Sequence, residues 1–294
     1  MRKLRIEHVT EFDFGVEVDL LPHRLLLRPR ESHSVRVTAS VLDISPAHTI
    51  RWQRDVYDNS VALVSFSART RALRIASIVD LEHHEHAPLD FLVDNYAVTY
   101  PFSYAAADQL DLAPLRQPLW PEQKSAVQSW LSSLALPTAG DQTFAILDRL
   151  NRAIAAGFRY EARDQEGVQP PARTLELQSG SCRDFATLFM EACHCLGLAT
   201  RFVSGYQISN VPDAPGATHA WAEVYVPGPG WKGFDPSAGL VTGSEHIAAA
   251  VARHPELVPP VSGSFVGPKE LRPTMRVSVT VREEQGSAAS DGSP

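Results

Sequence analysis

Three side chains in this sequence have the types and settings that nucleophilic acyl chemistry needs: Cys182, His219 and Asp235. Cys182 sits where the small residues Ser179, Gly180 and Ser181 give way to helical periodicity, with apolar side chains at Phe185, Leu188, Phe189, Ala192, Cys193 and Leu196. Gly197 ends that stripe. Ser181 followed by Asp184 has the form of a capping box, which makes the cysteine the first helical residue. There the free N–H groups and the positive end of the helix dipole favour a thiolate over a thiol. A thiolate nucleophile needs a base, and the base needs a third group to fix its tautomer. His219 lies in an alternating run, 218–226, that reads as a strand; Pro227-Gly228-Pro229-Gly230 then turns the chain, and 231–234 forms the hairpin partner that closes on Asp235. Antiparallel neighbours lie about 5 Å apart, so a carboxylate near the end of one strand can meet an imidazole on the other.

Two of the three also have an ordinary reading, because a cysteine at a helix start is usually a small buried hydrophobe and a strand histidine a satisfied core residue. Neighbouring residues divide the same way. Trp221 shares the strand face of His219 and either walls a cleft or fills a core, while Trp231, after the Gly-rich turn, could line a cleft rim. Arg183 and Asp184 flank the cysteine and read as a cap and a surface ion pair. The run Glu82-His83-His84-Glu85-His86 contains metal-ligand types, but adjacent residues on an extended chain point to alternate faces, so it reads as a solvated loop. Cys193, His194 and Cys195 diverge by about 100° each on a helix and do not make a joint zinc site. Neither a metal nor a cofactor is expected.

The chain that must position these residues has 294 of them, 44% apolar, with a net charge of −7 and its Lys and Arg scattered. That argues against nucleic acid or a membrane surface as a partner. The basic start, MRKLRIEHVTEFDF, runs into alternation rather than an apolar stretch, so no secretory signal is expected, and no run is long enough to span a bilayer. Three cysteines do not make a disulfide framework, and a reducing, cytoplasmic location is expected. Over 2–100, short alternating runs separated by turn formers predict an antiparallel β-sandwich at 1–105. Prolines 101, 114, 118 and 121 mark a linker at 106–120. A domain over 121–284 follows, with helices predicted near 121–134 and 142–156, a short strand or bend at 158–160, a loop at 164–172, a β-like run at 200–206, a loop at 208–217, a helix at 245–253 and a last strand at 274–282. Residues 285–294 read as a disordered tail.

The words GSCRDFA, ATHAWAEVY and GWKGFDPSAG, in this order and spacing, resemble the transglutaminase-like superfamily, which shares a papain-like catalytic core. The likeness is closer to its bacterial branch of cysteine-protease-like members with a β-rich N-terminal region, which LLPHRLLLRPR also resembles. The resemblance implies an α+β fold, a papain-like (transglutaminase core) domain preceded by the β-sandwich. It implies Cys182 as nucleophile, His219 as general base and acid, and Asp235 as the orienting carboxylate, acting on a peptide or protein substrate through a thioester. Animal transglutaminases supply an indole to the oxyanion, but no Trp lies between Gly157 and Ser181 here, and Gln169 is the substitute considered. No DxDxDG-like calcium loop is present, so water is favoured over a lysine as acceptor. Transfer to amines is the alternative within this chemistry, and a non-catalytic peptide-binding module the alternative from another class. An open sandwich edge could support a homodimer.

Overall fold

The computed structural model describes residues 1–138, 140–163, 165–208 and 216–283. The expected tail, 285–294, and most of the loop expected at 208–217 lie outside the described residues. Alternating sequence builds six strands first: β1 (Arg2–Leu20), β2 (His23–Leu25), β3 (Val35–Ser45), β4 (His48–Arg54), β5 (Ser60–Phe66) and β6 (Thr70–His83). The expected linker is instead α1 (Ala106–Leu112) and a 3-10 turn (Ala113–Arg116). It is ordered because Leu112 and Leu115 bury beside Tyr104 and Ala199. Then come α2 (Lys124–Ser133), α3 (Thr143–Gly157), β7 (Arg159–Tyr160), α4 (Pro171–Leu177), β8 (Ser179–Gly180) and α5 (Cys182–Cys195). The chain continues through β9 (Thr200–Gln207), β10 (Ala217–Val226), β11 (Gly230–Asp235), β12 (Leu240–Val241), β13 (His246–Ala252), β14 (Val261–Ser262), β15 (Phe265–Val266) and β16 (Thr274–Glu283).

These strands make three main sheets. A long sheet runs β3-β6-β1, with β15 and β16 on the other side of β1; a short sheet runs β14-β2-β5-β4; a core sheet runs β12-β11-β10-β9-β13. One face of the long sheet serves two partners. Leu73 and Ile75 of β6, with Phe14, Val18 and Leu20 of β1, pack on Leu25, Ala62 and Val64 of the short sheet, which is the expected sandwich. Further along the same strands, Leu4, Ile6, Val79 and Leu81 pack on Tyr206, Ile247 and Ala249 of the core sheet. On its other side the core sheet carries α5, which brings Phe185, Leu188 and Phe189 against Ala220, Ala222 and Val224 in a cluster shared with α2 and α3.

Two expectations need correction. The expected division at 121–284 gives way because β14 and β15 pair with β2 and β1, and β16 pairs with β1 from Leu4↔Glu283 to Asp13↔Thr274. The C-terminal segment thus completes the N-terminal sheets. The helix expected at 245–253 is strand β13. Its alanines favour a helix in isolation, but this short apolar run is buried on both faces, with Ile247 and Ala249 against the long sheet and Ala250 and Ala252 in the α5 cluster. Tertiary burial overrides the local preference.

Candidate active site

The helix that presents Cys182 is buried all round: every residue from Asp184 to His194 is inaccessible, not only the predicted stripe. Its start is fixed by the predicted capping box of Ser181 and Asp184, in which Asp184 Oδ2 accepts the Ser181 N–H at 2.8 Å. Asp184 does more than cap, and it is not on the surface. Fully buried, it accepts a two-pronged hydrogen bond from Arg163 (2.8 and 3.0 Å) and the Gln169 backbone N–H (2.7 Å). Burial alone would raise its pKa, but these donors, Arg163 foremost, hold it down at about 2. One carboxylate thereby ties Arg163, Gln169, the 179–181 turn and the first turn of α5 together. Gly180 is glycine for the same reason: a Cβ there would lie 2.9 Å from Asp184 Cβ and 3.1 Å from Gln169 Nε2.

Cys182 is a free, half-buried thiol at this helix tip. Its side chain interacts with that of His219 of β10. The hairpin β10–β11 pairs antiparallel from Ala222↔Phe234 to Val226↔Gly230 and sets Asp235 just past its paired end, near His219. His219 Nε2 lies 2.8 Å from Asp235 Oδ2. An ionised carboxylate only accepts, so Nε2 carries the proton and Nδ1 is left for the thiol. Burial works against a charged His219, yet the bonds and charges of Asp235 and Cys182 prevail and raise its pKa from 6.5 to about 10. Asp235 is wholly inaccessible; burial pushes its pKa up, but hydrogen bonds from His219 and His246 keep it well below the usual carboxylate range.

The other expected residues fall elsewhere. Both Gln169 amide hydrogens are engaged, on Ser179 O and Asp184 Oδ2, each at 3.2 Å, so the residue braces the turn below the cysteine and is not free to meet an oxyanion. Trp221 shares the face of His219 as expected and is 2% exposed, a core residue whose ring packs edge-on against His246 at 5.3 Å. Trp231 is not at a rim near the cysteine: it stacks under Arg201 at 4.3 Å and against Tyr225 at the turn end of the hairpin, away from Asp235. Arg183 donates to the carbonyls of Arg163 and Gln165. His194, from the Cys193-His194-Cys195 run, spends its nitrogens on Glu191 (2.9 Å) and the Leu115 carbonyl (3.1 Å). A groove of about 520 Å³ lined by Trp130, Leu134, Phe158 and Leu175 includes none of the Cys182 cluster.

Two residues enter that the sequence reading passed over. Tyr160 was only part of a strand or bend; in the structure β7 pairs parallel with β8, Tyr160 opposite Gly180, and its side chain interacts with that of Cys182. Burial first, then Cys182, raises its pKa to about 12. A two-residue parallel bridge leaves no periodic signal, so sequence alone had nothing to find it by. His246 lies in the stretch misread as a helix, and its Nε2 is 3.1 Å from the same Asp235 oxygen. Reading 246–252 as a strand was the missing signal. With His219 and Asp235 it forms a group whose ligand-type atoms lie within 4.8 Å of one another. That donor set could hold a transition-metal ion, but two N–H···O bonds already account for its spacing.

The N-terminal residues 4–82 match the family described as bacterial transglutaminase-like N-terminal region, and residues 134–236 match the transglutaminase-like superfamily. An uncharacterized protein of Mycobacterium tuberculosis is 30% identical over 310 residues, spanning 97% of this chain and 94% of its own; one from Mycobacterium bovis matches equally. A crystal structure from Cytophaga hutchinsonii, provisionally named a cysteine protease, superposes with a TM-score of 0.75 at 16% identity, covering 97% of this chain and 91% of that one. It bears on the fold.

Proposed function

We propose, from the premise that this chain belongs to the transglutaminase-like superfamily, that it is a cysteine-dependent amide or peptide hydrolase working through Cys182, His219 and Asp235. The single observation that carries this reading is His219, hydrogen-bonded at 2.8 Å to a buried, ionised Asp235 and interacting on its other side with the Cys182 side chain. A protonated imidazole beside a sulfur at a helix N-terminus is the partner a thiolate needs. The thiolate attacks the amide carbonyl carbon, and the carbonyl electrons move onto oxygen. As the C–N bond breaks, His219 gives its proton to the departing amine and a thioester remains. Water then yields a proton to His219 and attacks the thioester, releasing the acid and restoring the Cys182 sulfur.

The oxyanion in both steps needs donors. The Cys182 backbone N–H, free at the first helical position, is one. The Tyr160 hydroxyl, on a side chain that interacts with Cys182, is the second in this reading, taking the role first considered for Gln169. The substrate class is a peptide or protein amide.

Iodoacetamide labelling tests the reading. Cys182 should alkylate at neutral pH faster than cysteine in an unstructured peptide, and His219→Ala should slow it by about tenfold or more. Alkylation at the unstructured-peptide rate in the intact protein would rule the reading out. Cys182→Ala, which removes the nucleophile, should retain amide-bearing peptides on incubation with a peptide mixture.

A further inference from the structure

We infer that His246 is a positioning residue for this chemistry: it fixes the Asp235 carboxylate that orients His219, and it links that carboxylate to the N-terminal sheets. The inference rests on the hydrolase reading above. Among the described residues the Asp235 carboxylate accepts three hydrogen bonds, two of them at one oxygen. Oδ2 accepts from His219 Nε2 at 2.8 Å and from His246 Nε2 at 3.1 Å, while Oδ1 accepts the Ser237 backbone N–H at 2.9 Å. Ser237 and His219, one on each oxygen, already set the carboxylate plane; His246 takes the remaining lone-pair site of Oδ2 and so leaves His219 a single direction of approach, which sets where it points Nδ1. Two imidazoles sharing one buried oxygen also divide its charge, so His246 sets how strongly Asp235 holds the His219 proton.

The placement of His246 is itself over-determined. Its ring lies 6.0 Å from that of His219 and edge-on to Trp221, and is 9% exposed. Its backbone carbonyl accepts from His83 Nε2 of β6 at 3.4 Å, and the neighbouring Glu245 pairs with Arg2 of β1 at 2.9 Å. Along the rest of β13, Ala248 O accepts the Arg30 N–H at 2.8 Å, and the Asn59 amide bonds both the N–H and the carbonyl of Val251, at 2.9 and 2.7 Å. The strand carrying His246 thus has its core-sheet ladder on β9 and further hydrogen bonds to the N-terminal region. Gly205 makes the approach possible: a Cβ there would lie 2.3 Å from Ile247 O and 2.7 Å from the Trp221 ring. The charged and titratable groups facing His246 are Asp235, His219 and His83, with Glu245 and Arg2 at its strand end.

The test compares His246→Leu and His246→Gln in the full-length chain. Alkylation of Cys182 is followed against pH, beside kcat and KM on a peptide amide. His246→Leu should slow alkylation at pH 7 about tenfold, displace the high-pH limb that reports His219 deprotonation, and lower kcat with KM little changed. His246→Gln, whose amide N–H can still reach Oδ2, should recover most of the rate. If His246→Leu lowers the melting temperature but leaves rate and limb as in the unaltered chain, His246 is merely structural and the inference is overturned. Should His246→Leu fail to fold, 15N-histidine NMR of the unaltered chain reads the same link. Alkylating Cys182 should move the His246 Nε2 resonance, and an unmoved resonance overturns the inference. Slow alkylation in the unaltered chain would instead bring down the hydrolase reading itself, so the two failures are distinguishable.

Discussion

A phenol placed against a thiol, with its proton held to about pH 12, remains a hydrogen-bond donor throughout any working range. At Tyr160 that allows a clean separation of roles. Tyr160→Phe keeps the ring and removes the donor, so kcat should fall about a hundredfold, the usual effect of deleting one oxyanion donor. Alkylation by iodoacetamide forms no tetrahedral oxyanion, so its rate at Cys182 should change little; parallel losses in both assays would assign Tyr160 to the sulfur alone. His219 makes a pH statement with a definite sign. Its folded pKa, about 10, lies above the ordinary 6.5, so its contribution to stability is complete below about 6.5 and is lost as pH rises towards 10. Urea unfolding between pH 7 and 10 should show that decline, and His219→Gln should flatten it. At this scale the placement of Cys182 at a capped helix tip, and of His219 on a strand whose hairpin partner ends at Asp235, was legible because helix capping and strand alternation are local; the roles given to the three rested on the resemblance. Gln169 was misassigned because a side chain's hydrogen-bond partners are not local: its amide was claimed by Ser179 and Asp184.

The tip of α5 depends on Asp184 in a way its neighbours in sequence do not show. Arg163 and Gln169 arrive from a preceding segment, and the carboxylate neutralises a guanidinium while itself 0% exposed. Breaking such a buried pair from one side typically costs about 3–5 kcal/mol. Asp184→Ala should lower the unfolding midpoint accordingly and, by loosening the 179–181 turn, slow Cys182 alkylation. The sign with pH is opposite to that of His219. With its pKa down at about 2 against an ordinary 3.8, Asp184 stabilises above 3.8 and loses that contribution as pH falls towards 2, a slope Asp184→Asn should lack. The capping box and the end of α5 could be read from sequence because each involves residues a turn apart. Strand β13 could not, since alanine-rich sequence and a buried strand share one composition, and only the sheets on either side decide between them. The β7–β8 bridge that brings Tyr160 to Gly180 was hidden for a related reason: two residues carry no period.

Across the molecule, a domain boundary drawn from prolines and composition misses that the last strand returns to the first. β16 pairs along most of β1, and Val279 and Val281 join Leu4, Ile6, Tyr206, Ile247 and Ala249 in one cluster. The long sheet is therefore the far wall of the core sheet as well as half of a sandwich. Such shared burial sets the expected unfolding. Two independent domains would melt separately, whereas a common apolar interface, tied by Asn59 to Val251 and by Arg30 to Ala248, couples them into a single transition. Calorimetry of the whole chain should give one peak whose calorimetric and van't Hoff enthalpies agree; two resolved peaks would disprove the coupling. Ile247→Ala probes the same interface from the strand that carries His246. Fully buried, it should cost about 2–5 kcal/mol. Because the loss falls on the joint between the sheets, it should lower the whole transition rather than split off a part of it. A variant that melts in two steps would mean the core sheet stands without its N-terminal wall, and β13 would then need another source of rigidity to hold His246 at Asp235.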